Sequence, residues 1–298
     1  MTFLPLRLRP MKDGNVLCVN DTGQHFTASE DYIGRLAAGV VANADARRLR
    51  DAGHILETDD PLGWAAHARG VAERLSRAGS LDYLILVPTL RCNLACSYCQ
   101  VSRVGVKREG FDWSETTLAA VIRTIDALPT NRIKIEFQGG EPTLRPDLIR
   151  AVIAACERFE EHEFVICTNL NELNPEILKI FDRPDVFIST SLDGDASTHG
   201  HNRTGDKGAT AHFFMNLRTI TSRYGPRKVS ALPTVDPSSP PDVDSLIEAY
   251  ASHGFDSIFL RPINFQGFAR KRHKGSREQD DAWRAYYGGF VQIGRAHV

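Results

Sequence analysis

The most informative part of the sequence is the stretch Leu84-Ile-Leu-Val-Pro-Thr-Leu-Arg-Cys-Asn-Leu-Ala-Cys-Ser-Tyr-Cys99. An apolar strand runs to Pro88, and the loop after it carries Cys92, Cys96 and Cys99 in the spacing C-x3-C-x2-C. Thiolates suit iron–sulfur chemistry, and three of them can hold three corners of a cubane cluster. The loop offers no fourth cysteine. One iron therefore keeps an open position, and an open position on a metal is a site for chemistry.

Two other uses of these cysteines fit the sequence less well. A zinc knuckle needs a fourth Cys or His at short spacing, whereas the nearest downstream histidine is His162. A disulfide with a spare thiol belongs in an oxidising compartment. The amino terminus lacks the basic segment and apolar run of a secretion signal. The sequence therefore predicts an iron–sulfur cluster in a reducing cytosol.

The composition is that of a globular protein. The 298 residues suffice for one large α/β domain and a small one. The net charge of -1 gives no electrostatic reason to expect nucleic acid or an anionic membrane as the main partner. The basic run Arg270-Lys-Arg-His-Lys274 is expected to be a solvated loop. No stretch approaches the roughly 18 consecutive apolar residues that indicate a membrane span.

The three remaining cysteines are Cys18, Cys156 and Cys167, each in an apolar stretch predicted to be strand or helix. We expect buried packing for all of them. They are too few and too scattered to hold a second cluster, so the predicted cluster depends on the loop cysteines alone.

From residue 79 to residue 292 the sequence alternates strands and helices. Short strands rich in Val and Ile, separated by single helices, predict a parallel sheet with right-handed crossovers. In parallel barrels, ligands lie at the carboxyl ends of the strands. The predicted strands are residues 83–87, 132–138, 163–168, 186–192, 229–235 and 257–263, and the predicted helices are residues 114–128, 145–160, 175–181, 209–224, 242–253 and a last one from about 279.

Polar motifs follow three of these strands. Gly139-Gly-Glu141 ends the second strand, where two glycines let the backbone approach a ligand closely and the glutamate adds an acceptor. Cys167-Thr-Asn169 ends the third strand, and Ser189-Thr-Ser-Leu-Asp-Gly194 ends the fourth. Turn formation is the alternative for the asparagine and for Asp193.

Together with these motifs, C-x3-C-x2-C with Tyr98 before the last cysteine resembles the signature of the radical S-adenosylmethionine (SAM) superfamily. The resemblance implies a partial (β/α)6 barrel in which the amine and carboxylate of SAM chelate the open iron of a [4Fe-4S] cluster. It also implies that one electron cleaves SAM to a 5′-deoxyadenosyl radical, which abstracts hydrogen from a substrate. The protein then supplies positioning and excludes water.

The same resemblance implies roles for individual residues in SAM binding. Gly139, Gly140 and Glu141 match the motif that grips the SAM ammonium group. Ser191 matches a serine that touches the ribose or carboxylate region. Arg203 would pair with the SAM carboxylate, because a guanidinium fork suits a carboxylate.

Other positions depart from the pattern or carry weaker expectations. Tyr98 is expected to pack against adenine, with core packing as the alternative. Asn169 is a candidate ligand, although Leu170 stands where the superfamily often has glycine. Gly200 stands where the superfamily pattern has an aspartate. Its neighbours His199 and His201 are expected to be structural or solvent-facing. Arg261 is expected to face substrate. No catalytic acid or base is assigned.

Residues 1–78 are predicted to form a small α+β domain. The predicted strands are residues 4–9, 15–20 and 24–27, and the predicted helices are residues 29–39, 44–51 and 61–78. Three strands followed by helices resemble the winged-helix elements that bind a leader peptide as an added strand. The alternative is a cap that only seals the barrel.

At a finer level, the motifs and the amino-terminal strands resemble maturase B of the His-Xaa-Ser repeat system, within the peptide-modifying (SPASM-type) branch. The resemblance covers nearly all of residues 3–270. Such maturases usually continue into a cysteine-rich carboxyl-terminal region that can hold auxiliary clusters, so the chain is expected to be carboxyl-terminally truncated. Residues 293–298, Ile-Gly-Arg-Ala-His-Val, match a translated sequencing adapter and are left out of the fold prediction. A chance hexapeptide is the alternative.

The resemblance predicts an enzyme that modifies a ribosomal peptide or protein rich in His-Xaa-Ser repeats. It implies a companion maturase and an electron donor such as flavodoxin or ferredoxin as partners. An activity like that of anaerobic sulfatase maturases, which oxidises one Cys or Ser, is the nearest alternative. A non-catalytic peptide-binding scaffold that uses the first 78 residues is the alternative from another class.

Overall fold

The structure is a computed structural model that describes residues 2–76, 80–273 and 275–296. Contacts within the chain group it into two units, Met1–Gly79 and Ser80–Val298. The predicted boundary between residues 78 and 79 falls on residues outside this description. Each unit has its own secondary structure.

The first unit contains a three-stranded antiparallel sheet followed by helices. Its elements are β1 (Thr2–Phe3), β2 (Leu6–Pro10), β3 (Asn15–Asn20), β4 (His25–Ser29), α1 (Glu30–Ala37), α2 (Asn43–Asp51), β5 (Ile55–Leu56) and α3 (Pro61–Ser76). Strands β2, β3 and β4 form the sheet that the alternating pattern predicts. The Ser29 hydroxyl accepts the backbone N–H of Tyr32 and so caps α1. The short pairing of β1 with β5 is not predicted, because two-residue strands carry no periodicity.

The second unit alternates strands with helices. Its elements are β6 (Tyr83–Leu86), β7 (Arg91–Cys92), β8 (Val104–Gly105), α4 (Glu115–Asp126), β9 (Arg132–Phe137), α5 (Pro146–Cys156), β10 (Glu161–Cys167), α6 (Pro175–Phe181), β11 (Val186–Ser191), α7 (Ala196–His199), α8 (Lys207–Tyr224), β12 (Val229–Leu232), β13 (Thr234–Val235), α9 (Val243–Ser252), β14 (Arg261–Pro262), α10 (Ala269–Arg272) and α11 (Arg277–Ala296). A 3-10 turn at Pro142–Leu144 follows β9, and a π-helical turn at Gly200–Thr204 follows α7.

The sheet of the second unit is parallel and runs in chain order. Strands β6, β9, β10, β11 and β12 pair side by side, and β13 pairs in parallel with β14. Pro233 separates β12 from β13, because proline has no N–H to give to a ladder. The fifth predicted strand is therefore two short strands, which pair with different neighbours. The predicted α/β fold with a parallel barrel-type sheet is confirmed.

The hydrophobic core lies between the sheet and its helices. Ile133, Ile135 and Phe137 of β9 pack in it with Ile149 and Val152 of α5. Each fully buried Ile or Phe contributes about 1.5–3 kcal/mol relative to exposure. The alternate residues of the strands face away from this core, where they can line a site. Among the described residues, no helix is long and apolar enough to cross a bilayer.

Candidate functional site

One pocket of the second unit gathers the residues predicted to bind the cluster and SAM. It is lined by Cys92, Cys96 and Cys99 together with Tyr98, Gly139, Gly140, Glu141, Asn169, Ser191 and Arg203. These residues come from five separate segments, so the fold brings them together. Arg261, predicted to face substrate, also lines this pocket. The pocket therefore contains the whole predicted set.

The three cysteines form no disulfide and are partly buried. In the part of the chain that the structure describes, no three His, Cys, Asp or Glu side chains are grouped around a position for a single metal ion. A cubane cluster binds each of its cysteine ligands on a separate iron atom, and the three thiols of this loop can supply three of them. Burial raises the pKa of Cys92 to about 11. Binding of a metal at neutral pH must therefore displace its proton.

Three buried polar atoms in the pocket lack a partner among the described residues. They are Arg103 Nε, Thr190 Oγ1 and Arg203 Nε, and all three residues line the pocket. Leaving a buried donor unpaired costs about 1–3 kcal/mol, so such atoms indicate a ligand that pairs with them. Two guanidinium groups suit an anionic group such as the carboxylate of SAM. The unpaired guanidinium donors therefore fit SAM, and the three cysteine thiols fit the cluster.

The two glycines of the second strand's motif pack against the backbone that leads into the cysteine loop. A Cβ on Gly140 would lie 2.1 Å from the carbonyl oxygen of Arg91, and one on Gly139 would lie 2.5 Å from that of Thr89. The Gly140 N–H donates to Thr89 O at 3.0 Å, and the Glu141 N–H donates to Arg91 O at 2.8 Å. The glycines therefore allow close approach of two backbone segments, beyond the ligand approach that the sequence predicts.

Replacing Gly140 with alanine is expected to displace the cysteine loop. The added methyl group collides with backbone atoms, which cannot rotate away, so we expect a loss of about 2–4 kcal/mol in the free energy of unfolding and a reduced iron content after reconstitution. Gly105, whose Cβ would meet nothing within 4 Å, is the matched control on the strand paired with Cys92. Equal iron content in Gly140→Ala and Gly105→Ala would contradict this reading.

Glu141 is a buried carboxylate, 1% exposed, whose oxygens already have partners. Its Oε1 accepts the backbone N–H and the hydroxyl of Thr143, at 3.2 and 2.7 Å, and its Oε2 accepts the Asn169 N–H at 2.8 Å. Burial raises the pKa of Glu141, and these hydrogen bonds oppose the rise. Glu141 thus joins the ends of β9 and β10. A contact with the SAM ammonium group stays a prediction.

Asn169 reaches the cysteine loop. Its Nδ2 donates to Asn93 Oδ1 at 2.8 Å and lies 3.8 Å from Cys92 Sγ. The next residue, Leu170, has φ 53, and it is the one non-glycine residue with positive φ in the described part of the chain. Glycine, which the superfamily often has there, would adopt this conformation freely. The Leu170 carbonyl accepts Asn216 Nδ2 at 2.7 Å, which helps to hold the turn.

Replacing Leu170 with glycine tests which of two effects dominates. The left-handed conformation costs leucine about 1–2 kcal/mol. The side chain is fully buried, and removal of a buried leucine costs about 2–5 kcal/mol. The larger cavity cost should prevail, so we expect net destabilisation of up to about 4 kcal/mol in urea unfolding. A Leu170→Gly variant more stable than the original chain would show that strain dominates.

Tyr98, Asp193 and Arg203 form one buried network beside the cysteines. The Tyr98 hydroxyl donates to Asp193 Oδ2 at 2.6 Å, and Arg203 Nη1 donates to the Tyr98 oxygen at 2.7 Å. Asp193 also accepts the Thr234 N–H at 3.2 Å. Asp193 therefore links the end of β11 to β13 and to the cysteine loop. The residue that caps the following helix is Asp195. A contact between Tyr98 and adenine stays a prediction.

Glu136 and Cys167 also line the pocket, and the sequence does not predict this position for either. The sequence predicts buried packing for Cys167, but the side chain lines the pocket and its Sγ donates to Glu136 Oε1 at 3.1 Å. Burial raises the pKa of Cys167 far above its usual value, and nearby Glu136 raises it further. The strand alternation carries the signal that could have found them, since Glu136 alternates with the core residues Ile135 and Phe137.

A segment after β14 covers the cysteine loop. The Ala269 N–H donates to the carbonyl oxygen of Cys99 at 2.9 Å. Gly267 has φ +55, and a Cβ there would lie 2.3 Å from the carbonyl oxygen of Gln100. This contact joins residues far apart in sequence, and no local pattern predicts it.

His199 is fully buried and stacks on Phe213 with ring centroids 3.9 Å apart. Burial lowers its pKa to about 2. The ring is thus neutral at ordinary pH, which suits the structural role expected for it. His201 is exposed on the π-helical turn.

Residues 86–250, more than half of the chain, match the model of the Radical SAM superfamily. The chain belongs to the radical SAM superfamily. Its cofactors are accordingly a [4Fe-4S] cluster and SAM. The matched residues include every one of the predicted cluster and SAM positions.

Among radical SAM relatives, the chain is 27% identical over 200 residues to a cysteine-type anaerobic sulfatase-maturating enzyme of Clostridium novyi, covering 62% of this chain and 53% of that protein. It is 28% identical over 115 residues to a GTP 3',8-cyclase of Clostridium acetobutylicum, covering 38% of this chain and 35% of the other. The chain therefore spans about half or less of the length of these curated relatives.

Two solved structures share the fold at low sequence identity. Streptococcus suis SuiB bound to the precursor peptide SuiA has a TM-score of 0.52 and 13% identity, covering 97% of this chain and 70% of that one. The protein anSMEcpe with bound AdoMet has a TM-score of 0.51 and 18% identity, covering 62% of this chain and 51% of that one. Both likenesses concern the fold alone.

Proposed function

We propose that this chain is the SAM-cleaving part of an enzyme that modifies a ribosomally made peptide or protein. The observation that carries the proposal is the extent of the likeness to SuiB, which covers 97% of the chain. It includes residues of the small first unit as well as the barrel. SuiB is bound there to a precursor peptide, so a chain with both parts is a candidate to act on a peptide.

The first unit offers an edge for peptide binding. Among the described residues, β2 pairs only with β3, and four of its five residues are exposed. An unpaired strand edge can take an extended peptide as an additional strand, with main-chain hydrogen bonds giving the affinity. This supports leader-peptide recognition by residues 1–78. A cap without recognition is the competing role.

The chemistry itself would come from the bound cofactors, since a [4Fe-4S] cluster and SAM would together supply a one-electron cleavage and hydrogen abstraction from the substrate. The residues of the chain would bind and orient these cofactors. Cys92, Cys96 and Cys99 hold the cluster, and Arg203 pairs its unpartnered Nε with the SAM carboxylate. Ser191, at the end of β11, lines the same pocket beside them.

We extend the proposal to the substrate and partners. The substrate is a protein rich in His-Xaa-Ser repeats, treated together with a companion maturase in a reducing cytosol. The electron comes from a small donor such as flavodoxin or ferredoxin. The support is the likeness of the cysteine loop, the Gly-Gly-Glu motif and the first unit to maturase B of that system.

Deuterium transfer tests the proposal directly. A His-Xaa-Ser repeat protein with its leader, deuterated at carbon, is incubated with the reconstituted chain, SAM and dithionite. We expect deuterium in the 5′-deoxyadenosine that forms and a changed mass of the repeat protein. Cleavage of SAM without deuterium transfer, combined with no binding of the repeat protein, would contradict the proposed substrate.

A second candidate is the oxidation of one Cys or Ser as in sulfatase maturation. The relative from Clostridium novyi favours it, because the match extends over 62% of this chain. A peptide carrying a sulfatase-type Cys or Ser serves as the parallel substrate. Oxidation of that peptide, with no deuterium transfer from the repeat protein, would favour this second candidate.

A further inference from the structure

Two basic segments lie against the cysteine loop. The first contains Lys107 and Arg108, which follow Gly105, and Gly105 is the β8 residue paired with Cys92. The second is α10, which begins at Ala269, the residue whose N–H donates to the Cys99 carbonyl oxygen at 2.9 Å. Each segment thus starts at a residue joined by the backbone to a cluster cysteine.

An aromatic side chain connects the two segments. The Arg103 Cζ lies 5.3 Å from the centre of the Phe268 ring, and Lys271 Nζ lies 5.0 Å from the same centre. Arg103 belongs to the segment that leads to Lys107, and Lys271 belongs to α10. Cation–π contacts of this kind hold the charges in place while leaving them without a counter-ion.

The charges on these segments are exposed and unneutralised. Lys107, Arg108, Arg270, Lys271 and Arg272 are all exposed and form no ion pair with any described residue. Residues 264–277 contain no Asp or Glu, and residues 101–110 contain one, Glu109. The whole chain has a net charge of -1. Positive charge is therefore concentrated beside the cysteine loop in an otherwise balanced protein.

We propose that these five cations form the docking surface for an acidic one-electron carrier protein of the flavodoxin or ferredoxin class. The inference rests on the proposed function, which requires an outside electron. A carrier bound here would lie against the segments that contact the cluster loop. The position beside the cysteine loop suits delivery of an electron to the proposed cluster, which favours a carrier protein over an anionic nucleic acid. Complementary charge of this kind steers association and sets the orientation of the bound partner.

The electron transfer needs no further reagent. The reduced carrier loses one electron and the cluster gains it, and that electron is then used in the cleavage of SAM. No proton or group crosses between the two proteins. The five side chains act by binding the carrier, so their loss should leave cleavage by a small reductant unchanged.

The test compares two reductants on the full reconstituted chain. The variants are R270E/K271E/R272E and K107E/R108E, with R123E/K179E/R218E as the matched control. The control residues are also exposed and without an ion pair to a described residue, but they lie on α4, α6 and α8. We measure binding of oxidised flavodoxin, and 5′-deoxyadenosine formation with reduced flavodoxin or with dithionite.

We expect both test variants to bind flavodoxin about tenfold more weakly or worse at low salt, since like charges now face each other. The KM for reduced flavodoxin should rise by a similar factor, whereas the dithionite-driven rate and the control variant should not change. Binding to the unsubstituted chain should weaken with added salt.

Unchanged flavodoxin affinity in both test variants would overturn the proposal. An equal loss of the dithionite-driven rate would also overturn it, because these residues would then be needed to support the cluster. A third contradicting result is weaker binding of an acidic peptide or RNA by the variants with flavodoxin binding unchanged. If the unsubstituted chain cleaves no SAM with dithionite, the proposed function fails. The flavodoxin affinities would then still decide the docking surface.

Discussion

Replacing Cys96 with alanine is expected to abolish SAM cleavage while the fold survives. The proposed cluster depends on three cysteines, and the loop has no fourth to substitute for one that is lost. Cys96 is partly exposed and lies outside the main hydrophobic core. Because Cys96 is half-buried against the small cluster of Tyr98, Ile263 and Ala269, loss of its sulfur should cost about 1 kcal/mol. Reconstituted Cys96→Ala should therefore show 5′-deoxyadenosine at background, with an unfolding curve of the metal-free protein close to the original.

Cys167→Ala is the matched control for this experiment. Cys167 lines the same pocket but bonds to Glu136, and it belongs to β10 and not to the cysteine loop. The control should keep the iron content and the cluster absorption of the unsubstituted chain. Retained SAM cleavage in Cys96→Ala would refute the cluster assignment, as would an equal loss of iron in both variants.

The periodicity of the sequence determined much of the fold. Apolar residues in the barrel strands are packed on one side by helices, so each strand carries a strong local signal. The sequence pattern did not predict strands correctly where only a few residues pair. Only Arg261–Pro262 of the sixth predicted strand pairs with a neighbour, and Phe259 within that prediction is 69% exposed. Tertiary contacts decide such short segments, and local preference does not.

The site was predictable where spacing carries the chemistry. Three cysteines within eight residues and a Gly-Gly-Glu at a strand end are local patterns with a physical meaning. The roles of Asp193, Gly267 and Cys167 are not local. Each of these residues contacts a partner at least 31 residues away in the sequence, namely Tyr98, Gln100 and Glu136 respectively. Leu170 shows a third case, in which the residue type argues against the backbone conformation that the fold imposes.

Removal of the Arg203 charge is expected to weaken both the fold and SAM binding. Asp193 is 2% exposed, and burial raises its pKa from the ordinary value of 3.8 while Arg203 lowers it. Without Arg203, the Asp193 carboxylate stays buried while less positive charge offsets its loss of hydration. Breaking a buried charge network by removing one partner costs about 3–5 kcal/mol. Arg203→Met should therefore unfold at markedly lower urea concentration at neutral pH.

This loss of stability should depend on pH in a defined direction. In Arg203→Met the pKa of Asp193 in the folded state lies further above its unfolded value. The folded state then binds more protons than the unfolded state between the two values, so stability falls as the pH rises from about 4 toward the folded pKa. The variant should thus lose less stability at about pH 5 than at about pH 8.

The double variant Arg203→Met/Asp193→Asn separates the two effects. Asparagine carries no charge and keeps an oxygen for the Tyr98 hydroxyl, so it should recover at least half of the lost stability and remove the pH dependence. It should not restore SAM affinity, because the guanidinium group proposed to pair with the SAM carboxylate is still absent. Loss of one charge-assisted pair predicts binding weaker by about 10–100-fold in calorimetry. If the double variant binds SAM as tightly as the original chain, Arg203 only supports the fold and does not contact SAM.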